Sequence, residues 1–170
     1  MGKTDFFKVS ATERQDQIVR LGGNSYLLIF GYGTDDSGDG EQGYNWRKYY
    51  DHRPTEQELR ADITALVDGI TDGRILTGFE WNGTGVYLST ENQMNFKAAY
   101  DLAVQTAGAT LPVKFKLGED ADGNALYHTF VELEEFTDFY TKAVAFIVAA
   151  LNEGWDEKDS VDYSSLAGDE

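Results

Sequence analysis

Apolar residues along this chain recur at two different periods, and the switches between them predict alternating strands and helices. The sharpest strand signal is Thr77 to Ser89, where aromatic and β-branched residues flank Asn82-Gly83. Both central positions of a type I′ turn need positive φ, which Asn and Gly accept at low cost, so a β-hairpin is expected over Phe79 to Leu88. Gln17 to Leu21 and Ser25 to Phe30 form a second such pair around Gly22-Gly23-Asn24. A polar stretch from Gly33 to Gly43 reads as a loop, and Tyr44 to Tyr50 as an aromatic strand. Pro112 to Leu117 alternates apolar and charged residues and is expected to pair with Ala125 to Phe130 across an acidic turn.

Three stretches carry helical spacing. The first opens at Pro54-Thr55, where Thr55 and Glu58 fit a capping box, and continues through Leu59, Ile63, Leu66 and Val67 until Gly69 or Gly73. The second is expected from Thr90, capped by Thr90 and Gln93; its apolar positions cover more than one face, the mark of a helix between neighbours. The third starts near Glu132, with Thr129 and Glu132 as its box. Its stripe runs through Phe136, Phe139, Tyr140, Ala143, Ile147, Ala150 and Leu151 and stops near Gly154. Together these predict an α+β fold: two to three helices packed on short antiparallel hairpins, with an extra N-terminal β region. Three segments follow: a β-rich region over residues 1–51, an α+β domain over 52–163, and an acidic tail over 164–170 expected to be disordered.

Charge narrows the partners. Thirty acidic against 14 basic side chains give a net charge of −16, which repels nucleic acid and anionic membranes alike. The chain has no cysteine, so thiolate nucleophiles and Cys-based metal sites are excluded. Its longest apolar stretch, Ala143 to Leu151, is far short of the roughly 20 residues a membrane-spanning helix needs. The N-terminus lacks the apolar run of a signal peptide, so synthesis in a cytoplasm is the expectation.

Candidate chemistry is sparse. Asp35 to Gly40 imitates part of a calcium loop, but its twelfth position is Trp46 where a bidentate glutamate belongs, so an acidic turn is the better reading. Asp120 to Asn124 reads as a hairpin loop on the same grounds. His52 and His128 are the sole histidines, with no nucleophile placed beside either. Asn82-Gly83-Thr84 matches a glycosylation triplet but reads as turn chemistry. No glycine pattern for phosphate binding follows a strand. No catalytic residue, cofactor site or metal ligand set is therefore assigned. The surplus aromatics Tyr44, Trp46, Tyr49 and Trp81 are the candidates for contact with a protein partner, because Trp and Tyr are enriched at interfaces.

Several runs resemble a domain-of-unknown-function family that recurs in tail-associated and other virion-associated proteins of bacteriophages and prophages of gut bacteria. They are His52 to Thr55, Ile75 to Gly83, Val86 to Lys97, Tyr127 to Phe130 and Phe139 to Lys142, and the resemblance runs from about His52 to Tyr163, about two thirds of the chain. The spacing from Gly78-Phe79-Glu80-Trp81-Asn82-Gly83 to Glu91-Asn92-Gln93 is the most specific part. The resemblance implies a non-enzymatic structural or accessory protein of the virion, made in the bacterial host cytoplasm. Such a protein docks on other virion proteins, in several copies on a symmetric particle. An assembly chaperone for a fibre or tail protein and a carbohydrate-binding module are the alternatives. Residues 1–51 lie outside the resemblance.

Overall fold

The computed structural model describes residues 5–36 and 40–168, with side chains for all of these except Asp36. Among them run eight strands and four helices in an α+β arrangement: β1 (Phe7–Ser10), β2 (Gln17–Gly22), β3 (Ser25–Asp36), β4 (Glu41–Tyr50), α1 (Glu56–Thr77), β5 (Phe79–Trp81), β6 (Thr84–Val86), α2 (Thr90–Gln105), β7 (Val113–Glu119), β8 (Ala125–Phe130), α3 (Leu133–Asp159) and α4 (Tyr163–Ala167). The chain divides into two compact units, residues 1–66 with 160–170, and residues 67–159. The division falls inside α1, not at the change of composition near residue 51.

The first unit is built on an antiparallel sheet of order β1-β4-β3-β2. Leu27, Leu28, Ile29 and Phe30 are all buried, so both faces of β3 are covered at this point, and Leu59, Ile63 and Tyr163 join them in the core. Because β1 and β2 lie on opposite edges, the connection over residues 11–16 has to travel from one edge to the other. A bulge in β3 between Phe30 and Gly33 receives it: Gly31 sits at φ +67°, its N–H donates to Asp16 Oδ1 at 2.8 Å, and its carbonyl accepts from Asn45 Nδ2 at 2.7 Å. The same Asn45 amide donates to Glu13 O at 3.2 Å. Asn45 is 0% exposed, and its Oδ1 has no hydrogen-bond partner among the described residues. Its amide thus spends a fully buried polar side chain on fixing the crossing.

α1 is joined to this sheet by a polar trio of buried Lys48 and half-buried Tyr50 and Asp62. Lys48 Nζ lies 2.7 Å from Asp62 Oδ1, and the Tyr50 hydroxyl donates to Asp62 Oδ2 at 2.7 Å. This holds the first half of α1 in the same unit as β4. The capping box forms as expected, with Thr55 N–H donating to Glu58 Oε2 at 3.0 Å and Glu58 N–H to Thr55 Oγ1 at 3.3 Å. α4 is seated by Arg60, whose guanidinium lies 4.2 Å from the Tyr163 ring, and by Arg53, which donates to Ala167 O.

The second unit has a core dominated by rings. Phe130 stacks on Phe136 at 4.5 Å, Phe96 meets Phe139 edge-on at 5.1 Å, and Trp81 meets Phe139 edge-on at 5.3 Å. The β5–β6 hairpin has the expected turn, with Asn82 and Gly83 at φ +50° and +76°. It is tied to the β7–β8 hairpin by Tyr87 N–H donating to Leu117 O at 2.7 Å. Gly118 makes this approach possible, since a Cβ there would stand 2.6 Å from Gly85 O.

Several boundaries differ from the sequence expectation. α1 runs through Gly69 and Gly73 to Thr77, because Val67 and Ile75 are buried and offset the cost of about 1 kcal/mol that each glycine carries in a helix. α2 is capped by Ser89, not Thr90: Ser89 Oγ accepts from Asn92 N–H at 3.2 Å, and Gln93 turns its amide to Leu88 O. Thr129 lies in β8 and caps nothing. α3 passes Gly154 to Asp159, and Gly154 is buried because Thr71 occupies the space a Cβ would need. Most of the polar loop over 33–43 is strand, and β1 is a short edge strand with no counterpart in the sequence reading. Of the tail expected to be disordered, Ser164 to Ala167 belong to α4, while residues 169 and 170 lie outside the described residues.

Two substitutions test this account. Gly118→Ala should destabilise the protein by about 1–3 kcal/mol, because the new methyl meets backbone that cannot give way, and urea unfolding would read it. Asn45→Ala should cost a similar amount, about 1–3 kcal/mol, by leaving the Gly31 and Glu13 carbonyls without their donor.

Candidate docking surface

The four aromatic side chains expected to form a partner surface do not come together. Tyr44 and Trp46 alternate on β4 and share one face of the sheet, packed edge to face at 5.5 Å. Lys8 Nζ lies 3.9 Å from the Tyr44 ring and 5.3 Å from that of Trp46, leaving both half-buried. Tyr49 points to the opposite face, where it stacks on Phe7 at 5.4 Å and stays 48% exposed. Trp81 belongs to the other unit and is 4% exposed, so its proposed role in partner contact is corrected: the ring is core, and its indole N–H donates to Asp138 Oδ2 at 3.0 Å.

Both histidines, Tyr50 and Asp138 are committed to structural pairs. His52 Nδ1 is 2.8 Å from Asp51 Oδ1 and its Nε2 is 3.0 Å from Glu58 Oε1, a geometry that asks both nitrogens to donate. Asp51, then Glu58, raise the His52 pKa; His52 in turn lowers that of Asp51. His128 Nε2 contacts Glu135 Oε1 at 2.9 Å, and the Trp81 and Phe130 rings flank it at 5.0 and 4.6 Å. Burial, and then the hydrogen bond to Asp62, push the Tyr50 hydroxyl well above the usual phenol range, so it keeps its proton and serves as a donor. Asp138 is held low by Lys142 and by Trp81.

Of the two acidic runs, Asp120 to Asn124 forms a hairpin turn, whereas Asp35 and Asp36 belong to β3. Asp120 accepts from the backbone N–H groups of Asn124 and Asp122 at 2.8 and 3.0 Å, which lowers its pKa and closes the β7–β8 hairpin. Asp35 is gripped by Lys8 through both oxygens, at 2.7 and 2.8 Å. Residues 37–39 of the calcium-like run lie outside the described residues, as does the Asp36 side chain. Among the described residues no group of three or more His, Cys, Asp or Glu could hold a metal ion, and no helix is long and apolar enough to cross a membrane.

One cavity of about 520 Å³ opens where β6, the start of α2 and the bulge of β7 meet, bordered by Tyr87, Ser89, Asn92, Lys116 and Glu119. Its polar groups are used locally: Lys116 pairs with Glu119 at 2.5 Å and Asn92 Nδ2 holds Tyr87 O at 2.7 Å.

The strongest surface feature is on α3. Its inward side carries Phe136, Phe139, Ala143 and Ala150, all buried. Its outward side nonetheless presents Val144 (39% exposed), Val148 (49%) and Trp155 (53%), with Ala145 and Ala149 between them. An open groove of about 470 Å³ runs along these residues, between Tyr140 and Asn152. An exposed helix face normally turns polar residues to water, so this apolar row, interrupted by Thr141 and Asn152, is the candidate contact surface. The sequence reading missed it by following one stripe. The overlooked signal is the second apolar set on the same helix, Val144, Ala145, Val148, Ala149 and Trp155.

His52 gives a pH test. Its folded pKa lies above its unfolded value of about 6.5, so its contribution to stability is present below that value and fades as pH rises through the raised folded pKa. The melting-temperature gap between the unmodified chain and His52→Ala should therefore be larger at about pH 5.5 than at about pH 9, where the imidazole is neutral in both states.

Compared with known proteins, this chain matches no family model, no curated protein and no solved structure.

Proposed function

We propose that the chain is a non-enzymatic structural or accessory protein of a bacteriophage virion, acting by docking on other virion proteins in several copies on a symmetric particle. The observation that carries the reading is the apolar outward row of α3, Val144, Ala145, Val148, Ala149 and Trp155, on a helix whose opposite side already fills the core. A protein working alone gains nothing from it, whereas a docking protein buries it on assembly. The pairing of both histidines with carboxylates, and the proton retained on Tyr50, support a surface function over bond-making chemistry. The net charge of −16 argues against nucleic acid and anionic membrane as partners. The resemblance over His52 to Tyr163 supplies the virion setting.

Mass spectrometry of purified particles, produced from the genome that encodes the chain, tests this. The chain should be present at a fixed ratio to the major particle proteins. Its presence in infected cells but absence from finished particles would overturn the structural reading in favour of an assembly chaperone.

A further inference from the structure

β4 sends its side chains alternately to the two faces of the first unit's sheet. Lys48 and Tyr50 reach Asp62 of α1 on one face, so Arg47 and Tyr49 lie on the other. The register sets Arg47 between Phe7 of β1 and Ile29 of β3, and the Phe7 ring stacks on Tyr49, the next residue of β4 on that face. Ile29 is buried, Phe7 and Arg47 are half-buried and Tyr49 is exposed, so the arginine rises from an apolar surround. Its guanidinium is the exception among the described residues. Every other described lysine and arginine has a hydrogen bond, an ion pair or a ring to rest against, whereas the Arg47 side chain has none of these. Nε is buried without an acceptor, and the terminal nitrogens, equally unpartnered, stay open to solvent. A buried donor left unpaired is a cost to folding, yet in a chain with 30 acidic side chains none of the described ones is set against it.

What such a group lacks is a two-oxygen acceptor. The planar guanidinium meets a carboxylate or a phosphate fork to fork, and an apolar rim keeps water from competing. The net charge of −16 repels phosphate-rich surfaces such as nucleic acid and anionic membranes. One carboxylate on a protein surface brings a single charge, together with apolar neighbours for Phe7 and Tyr49 to cover. We propose that Arg47 receives an Asp or Glu side chain of a neighbouring virion protein, with Phe7 and Tyr49 as the apolar rim of that contact. The proposal rests on the docking reading above and adds to it a surface of the first unit with the chemistry of its partner. An arginine beside stacked rings has the composition of the few residues that carry most of the energy of an interface.

Arg47→Met tests this, since it keeps an unbranched apolar stem and removes the donors. In the isolated chain the melting temperature, followed by far-UV circular dichroism, should stay within about 3 °C of the original or rise, because no group in the chain loses a partner. Particles produced from the altered genome should nonetheless hold about tenfold less of the chain, or lower still. Phage carrying Arg47→Glu should regain incorporation through second-site changes at an Asp or Glu codon of another virion protein. A larger fall in melting temperature for Arg47→Met marks an arginine that the fold itself needs and overturns the proposal. Incorporation of Arg47→Met at the original ratio overturns it too, as does recovery of Arg47→Glu at codon 47 alone. Absence of the unmodified chain from particles overturns the virion reading; its presence there beside an equal level of Arg47→Met overturns this contact alone.

Discussion

Everything in the second unit leans on the position of one indole. β5 and β6 are three residues each, too short to be stable as an isolated hairpin in water. Trp81 closes β5 inside the ring cluster, against Phe130 and Phe139, and its N–H reaches Asp138 on α3. Asp138 accepts Lys142 as well, so one carboxylate joins a strand end to a helix face. The rings provide the large apolar burial that steadies the hairpin, while the single N–H to carboxylate bond selects one orientation among those the rings would tolerate. With the hairpin fixed, Tyr87 N–H finds Leu117 O, the second hairpin is attached, and α2 begins at Ser89.

The first unit solves a different problem with polar atoms. A sheet whose first two strands lie on opposite edges needs a connection across it, and a crossing chain brings backbone groups that the ladder cannot satisfy. The bulge at Gly31 turns a carbonyl and an N–H out of the ladder, and Asn45 and Asp16 take them up. Gly31 adopts a left-handed conformation there, which few other residues tolerate. Lys48, Tyr50 and Asp62 repeat the strategy under α1. A largely desolvated ion pair of this kind, with Lys48 buried and Asp62 half-buried, adds little net stability but penalises any arrangement that separates its members.

What was legible in the sequence was what is decided locally. Asn82-Gly83 imposes its turn through two backbone angles, and Thr55 with Glu58 satisfies two N–H groups three residues apart; neither needs the rest of the chain. The α+β class followed because alternation and helical spacing survive any tertiary context. The errors fell where distant residues decide. Gly69 and Gly73 are helix breakers in isolation, but Val67 and Ile75 on the same helix are buried and hold it. Gly154 reads as a terminus until Thr71 is known to press against it. β1 exists because β4 offers an edge to Phe7 and its neighbours, a fact no four-residue window contains. Trp81 was read as a possible contact because an aromatic on a strand looks the same from either side, and only its partners reveal which side is inward.

The three tryptophans occupy three unlike surroundings: Trp46 beneath the ammonium of Lys8, Trp81 enclosed by rings and histidine, Trp155 open to solvent on α3. Trp46 is the sole indole of the first unit, and the other two divide between the interior and the outer face of the second. The protein's ultraviolet emission is thus a sum of three reporters separable by quencher access. Iodide quenches the α3 indole first, and its spectrum tells burial of that face apart from loosening of either core.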